Sequence, residues 1–208
     1  DAKTGEKHWE FATQGPISSS ANFQNGRIYF GSWDGNLYCL SLEGKLLWRF
    51  PTKDLIAKKP AIEGKTVFVV SRDGNVYAVD SETGREKWKF RTTNGLPTSE
   101  PKVFGDLLLF SSTFEKTLIA LNATTGKLLW KLKTTALQYG QAIVHEDRVI
   151  FSGNDGILYA LDKKTGKVVW TFMEKIKADL ADGCAVWKDR IFVGSRNCKL
   201  LCVSTEGK

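Results

Sequence analysis

The side chains that could do chemistry are few and scattered. The chain has two histidines, His8 and His145, the second beside Glu146 and Asp147. A general base or a metal ligand needs partners within hydrogen-bond or coordination reach. Neither histidine has a nucleophile or ligand set at a familiar spacing, and both read as surface residues. The four cysteines are Cys39, Cys184, Cys198 and Cys202. None forms a C-x-x-C pair, and Cys198 and Cys202 lack the second cluster that a zinc site requires. Asp-Gly pairs at 34–35, 73–74 and 155–156 look like fragments of calcium loops. Each is a lone Asp before a Gly, which turn chemistry explains. There is no G-x-S-x-G elbow, no H-E-x-x-H and no phosphate-binding glycine loop. No catalytic residue, metal or cofactor is therefore assigned.

The bulk composition narrows the classes. Among 208 residues, 30 Lys and Arg stand against 23 Asp and Glu, a formal net charge of +7. The lysines are spread over every segment, as on an ordinary solvated surface. No aromatic-basic motif or groove-reading helix points to nucleic acid. No run of 18 apolar residues could span a membrane as a helix. The sequence opens on Asp1 without a signal-peptide pattern, which reads as a mature chain or an excised domain.

What must position any site is a repeat. Trp9, Trp48, Trp88, Trp130 and Trp170 stand 39, 40, 42 and 40 residues apart. Each closes a similar phrase: TGEKHW (4–9), EGKLLW (43–48), TGREKW (83–88), TGKLLW (125–130) and TGKVVW (165–170). Before each later turn lies a short apolar run: LYCL (37–40), VYAV (76–79), LIAL (118–121), LYAL (158–161) and LLCV (200–203). Upstream come RIYFGS (27–32), TVFVVS (66–71), LLLFSS (107–112), RVIFSG (148–153) and RIFVGS (190–195). Runs this short, rich in β-formers and bounded by Gly, Asp and Asn, are strands joined by tight turns. Only residues 173–181 hint at a helix, and a long loop explains them as well.

Each repeat thus holds four strands, A to D. A sheet of four strands cannot bury both faces alone, and radial stacking into a β-propeller covers them. The expected fold is all-β, one domain over 1–208, with blades at about 12–50, 51–90, 91–132, 133–172, and 173–208 plus 1–11. The strand count predicts a five-bladed ring closed by pairing residues 6–11 with residues 199–203. The rival is a fragment of a larger propeller.

The phrase A-x-D-x-x-T-G-x-x-x-W resembles the tryptophan-docking motif of PQQ-like (pyrroloquinoline-quinone-type) propeller repeats. Ala78, Asp80, Thr83, Gly84 and Trp88 match it in full, as do Ala160, Asp162, Thr165, Gly166 and Trp170. Asn122 takes the Asp place before Trp130, and Cys39 and Ser41 depart before Trp48. The resemblance implies a propeller whose tryptophans pack between blades. It also implies an exported location, as in the periplasmic lipoprotein of outer-membrane assembly and in kinase sensor domains. Quinoprotein dehydrogenases share the repeat in eight-bladed rings holding a quinone and calcium. This chain lacks the adjacent Cys-Cys pair that covers their quinone.

Strand A would line the central channel from the top face. Aligned on that strand, Ser20, Lys59, Glu100, Gln141 and Cys184 share one ring position, and the B–C loops present Trp33, Arg72, Phe114, Asn154 and Arg196. Convergent polar groups beside exposed aromatics suit a binding funnel. The expectation is a non-catalytic binding or scaffolding monomer that offers this face to a protein or small ligand. A cofactor-binding quinoprotein-like domain and a purely structural repeat domain are the alternatives. Cys39 and Cys202 replace the motif Ala and are expected to be buried, while Cys184 and Cys198 could approach each other but are expected as free thiols.

Overall fold

The computed structural model describes residues 1–93, 96–97, 99–112, 114–135, 142–173 and 179–207. Sheet 1 holds β1 (Asn22–Gln24), β2 (Arg27–Gly31), β3 (Asn36–Ser41) and β4 (Leu46–Pro51). Sheet 2 holds β5 (Ala61–Glu63), β6 (Thr66–Val70), β7 (Asn75–Asp80) and β8 (Glu86–Arg91). Sheet 3 holds β9 (Lys102–Phe104), β10 (Leu107–Ser112), β11 (Thr117–Asn122) and β12 (Leu128–Lys133). Sheet 4 holds β13 (Ala142–His145), β14 (Arg148–Ser152), β15 (Ile157–Asp162) and β16 (Val168–Met173). Sheet 5 holds β17 (Leu180–Trp187), β18 (Arg190–Ser195) and β19 (Lys199–Ser204). Every sheet is an antiparallel meander in chain order. Of the segment 173–181, Met173 and Leu180 lie in strands, and residues 174–178 lie outside the described residues.

Alternation sends successive side chains to opposite faces, and both faces of the inner sheets are apolar. Sheets 2 and 3 meet through Phe68, Val76 and Ala78 on one side and Leu108, Phe110 and Ile119 on the other. The remaining neighbours pack in the same manner.

The tryptophans fasten one sheet to the next. The indole N–H of Trp48 donates to Ser81 O (3.1 Å), of Trp88 to Ala123 O (2.9 Å), of Trp130 to Lys163 O (3.0 Å) and of Trp170 to Thr205 O (3.0 Å). Each ring lies on the glycine of the following turn. A Cβ added at Gly84, Gly126, Gly166 or Gly207 would fall 2.4–2.7 Å from the ring's Cδ2. These glycines are needed twice over, for that contact and for a φ near +70°.

The expected closure is not made. Residues 6–11 form no strand, and β19 pairs with β18 alone. Residues 9–11 lie on sheet 1: Trp9 donates to Leu42 O (2.8 Å), and the Phe11 ring meets Phe30 and Tyr38 edge-on. The strand count overlooked the turns. Asp1–Gly5 curls as a C–D turn, with Gly5 N donating to Asp1 O (2.9 Å). Ser204–Gly207 is a second such turn, with Gly207 N on Ser204 O (3.0 Å). A closed ring of five has one place for both. Sheet 5 therefore ends on an uncovered face. Leu200 is 75% exposed, Trp187 is 58% exposed, and Cys202 is exposed where burial was expected. Cys39, at the matching place in sheet 1, is buried.

Candidate top-face binding site

The B–C turns and the D–A connections share one end of the sheets, and backbone hydrogen bonds join them. Trp33 N donates to Pro16 O (2.9 Å), Arg72 N to Leu55 O (3.0 Å) and Arg196 N to Asp179 O (2.9 Å). Thr52, Thr92 and Thr134 each donate a second, hydroxyl bond back to the B–C turn, to the carbonyls of Gly35, Gly74 and Lys116.

Beneath this surface sits a device that sequence reasoning missed. Tyr38 O–H donates to Asp34 Oδ2 (2.7 Å), Tyr77 to Asp73 Oδ2 (2.7 Å) and Tyr159 to Asp155 Oδ2 (2.8 Å). The same carboxylates hold the D–A segments, accepting from Gln14 N, Lys53 N and the Thr135 hydroxyl. The Asp-Gly pairs are thus more than turns, since each aspartate anchors two loops to a strand. The signal was legible as a Tyr four residues after each Asp: DGNLY, DGNVY and DGILY. Burial alone would raise the Asp73 pKa, yet the donors around it hold the carboxyl below its ordinary range. Burial and the neighbouring carboxylates push the Tyr77 and Tyr159 hydroxyls well above theirs.

The expected funnel residues divide. Lys59 and Glu100 come together, lining a cavity of about 180 Å³ with Asn22 and Lys102. Lys102 Nζ lies 3.3 Å from Glu100 Oε2. Ser20 is exposed, and Gln141 lies outside the described residues. Cys184 belongs elsewhere. It pairs with Val193 in β17 and packs into the core between sheets 4 and 5, where burial raises its thiol pKa to about 12. Its register is that of Ala142 in sheet 4 (Cys184 opposite Val193, Ala142 opposite Phe151), one position on from Gln141, and alternation turns that position into the core. All four cysteines are free thiols.

The loop residues are more accessible. Trp33 is 49% exposed, its indole N–H on Ser18 Oγ (2.7 Å), and Phe114 is 68% exposed. Arg72 and Arg196 are exposed, the latter 3.8 Å from Asp179. Asn154 is half-buried, and its Oδ1 has no hydrogen-bond partner among the described residues. His8 is exposed, 3.8 Å from Asp1, whereas His145 lines a 340 Å³ groove at the opposite end with Arg148 and Trp170. Among the described residues no three His, Cys, Asp or Glu side chains cluster as metal ligands. Among them no helix is long and apolar enough to cross a membrane.

Comparison with known proteins places this frame. Residues 1–102 and 93–207 each match the family described as "Outer membrane protein assembly factor BamB". Among curated proteins, BamB of Francisella salina is 36% identical over 75 residues, 36% of this chain and 14% of that protein. Quinoprotein alcohol dehydrogenase PedE of Pseudomonas putida is 39% identical over 57 residues, 27% of this chain and 9% of that protein. Among solved structures, BamB from Moraxella catarrhalis superposes with a TM-score of 0.80 at 17% identity, covering 96% of this chain and 62% of that one. Quinohemoprotein alcohol dehydrogenase ADHIIG from Pseudomonas putida HK5 gives 0.78 at 14% identity, covering 96% and 42%. The chain therefore spans less than two thirds of each of these relatives. The structural likenesses establish a PQQ-like propeller fold.

Proposed function

Given that the chain belongs to the BamB family of PQQ-like propeller proteins, we propose that it is a non-catalytic binding scaffold, an arc of five blades that presents its top face to a protein partner. The observation that carries this reading is the division of labour at that face. Aspartate–tyrosine clamps and threonine bonds fix the loop backbones from which Trp33, Phe114 and Arg72 project, and Arg196 stands on the B–C turn of sheet 5, its N–H on Asp179 O. Rigid loops bearing accessible aromatics and arginines are what protein interfaces use, because little entropy is lost on binding. The family resemblance supports an exported location, and a monomer suits an arc whose working surface is its top.

A photo-crosslinking residue at Phe114 should give discrete adducts in the producing cell, while one at Lys127, at the other end of the sheets, should not. Equal adduct patterns at the two positions would overturn the proposal. Two of the relatives are named as quinone-dependent dehydrogenases. Adding pyrroloquinoline quinone and calcium, then following dye reduction with simple alcohols, tests that second reading. No turnover is expected.

A further inference from the structure

The basic side chains of this molecule are treated in two ways. Some sit beside a carboxylate: Lys65–Glu82 at 3.1 Å, Lys87–Asp80 at 3.4 Å, Lys102–Glu100 at 3.3 Å and Lys131–Glu115 at 3.8 Å. Others do not, and the top loops of sheet 2 hold several of these. They carry Lys53, Lys58, Lys59, Arg72 and Arg91, and none of these has an ion pair within 4.0 Å among the described residues.

Hydrogen bonds bring these loops together. Lys53 N donates to Asp73 Oδ2 (3.0 Å), and Arg72 N donates to Leu55 O (3.0 Å). Arg91 pairs with Asn75 across β7 and β8. Two acids stand among them, Asp73, which accepts from Tyr77, Asn75 and Lys53 N, and Asp54, whose Oδ1 accepts from Leu55 N, and the five cations outnumber them. Like charges in excess on neighbouring loops repel one another, so the arrangement costs stability unless a partner compensates it. Next to it Phe114 and Leu96 line a cavity of about 210 Å³ together with Arg91, Asp73, Thr92 and Thr93.

We propose that the top loops of sheet 2 are the docking site for an acidic, extended polypeptide segment, one apolar side chain of which seats against Phe114 and Leu96. This rests on the scaffold reading and supplies the partner's chemistry. A polypeptide fits better than a nucleic acid, because Phe114 and Leu96 offer an apolar side chain a contact beside Arg91, and among the described residues these loops carry no row of aromatics for successive bases to stack on.

The test uses a labelled peptide of about twelve residues, glutamate-rich with one central leucine. Lys58→Glu/Lys59→Glu/Arg72→Glu should weaken its binding by about tenfold or more. Lys45→Glu/Lys127→Glu/Lys164→Glu, exposed residues at the opposite end with the same change in net charge, should leave it nearly unaltered. Phe114→Ala should weaken binding several-fold without changing its salt dependence. Equal losses in the two triple variants would reduce the effect to net charge and overturn the proposal. So would better competition by duplex DNA than by unlabelled peptide. The scaffold reading would survive either result provided the Phe114 crosslinks persist, and would fall only with them.

Discussion

Leu158 of β15 and Leu200 of β19 occupy the same place in their repeats, yet the first is 0% exposed and the second 75%. Ala160 and Cys202 differ in the same way, the first buried and the second exposed. Strands β15 and β19 share their length of six residues and their alternation, so nothing within the strand separates the two leucines. The difference is the neighbour. Leu158 has β16 beside it and sheet 5 against its face, while Leu200 has neither an outer strand nor a following sheet among the described residues. A repeat of this kind encodes half of each interface, and burial comes from the next copy.

The contrast is sharpest at the tryptophans. Trp88 lies between flanking strand and following turn, whereas Trp9 docks on Gly44 with no strand of its own and is 38% exposed. Trp88→Ala should destabilise by about 3–5 kcal/mol, as buried aromatic truncations do. Trp9→Ala should cost about 1–2 kcal/mol, the scale of partial burial plus one hydrogen bond. Equal losses in denaturant titrations would mean that residues 6–11 are held as firmly as a complete strand.

The leucine pair comes next. Leu158→Ala should cost about 2–5 kcal/mol and Leu200→Ala less than about 0.5 kcal/mol. A large loss at Leu200 would show that the far face of sheet 5 is covered in solution.

Much of this was legible in the residues. The period of the tryptophans and the alternating runs gave strands, turns and stacking, because those follow from local chemistry repeated five times. Ring closure was misjudged because counting strands ignored that Asp1–Gly5 and Ser204–Gly207 are the same turn. The top-face site was legible as a set of loops but not as an arrangement. Lys59 and Glu100 meet, whereas Cys184 stands at the place of Ala142, one position on from Gln141, where alternation turns it into the core. The aspartate–tyrosine clamps were written in plain spacing and went unread, since an Asp before a Gly already had a sufficient local explanation.

The glycines extend the comparison. Gly126 has φ +70° and Trp88 against it, while Gly5 has φ +74° and nothing within 4 Å. Gly5→Ala should cost about 1–2 kcal/mol for the left-handed backbone alone. Gly126→Ala adds overpacking and should cost about 2–4 kcal/mol. Matching values would mean that the indole moves aside freely.

Turn chemistry also separates sheet 2 from sheet 3 in acid. Asp80 accepts from the backbone N–H and hydroxyl of Thr83, and these bonds hold its pKa down to about 2. A carboxyl depressed on folding stabilises above its unfolded pKa, and that contribution fades as pH falls through the folded one. Stability should therefore decline between about pH 4 and 2, and Asp80→Asn should flatten that decline. Asn122 makes the same bonds in sheet 3 without a charge, so Asn122→Ala should lower stability by the same amount at pH 7 and at pH 3.

The smallest effect lies in the B–C turn of sheet 5. Sheets 1, 2 and 4 place Gly35, Gly74 and Gly156 there at φ +82°, +88° and +77°, while sheet 5 places Cys198 at +66°. A side chain in this region costs about 1–2 kcal/mol, and glycine relieves it at an entropic cost of about 0.5–1 kcal/mol in the unfolded chain. Cys198 is exposed and free, so little contact is lost on replacing it. Cys198→Gly should raise stability by about 0.5–1 kcal/mol, read as a higher denaturation midpoint at unchanged slope. A fall in the midpoint would show that the cysteine is packed against something, and the open face of sheet 5, on which the whole comparison turns, would be covered after all.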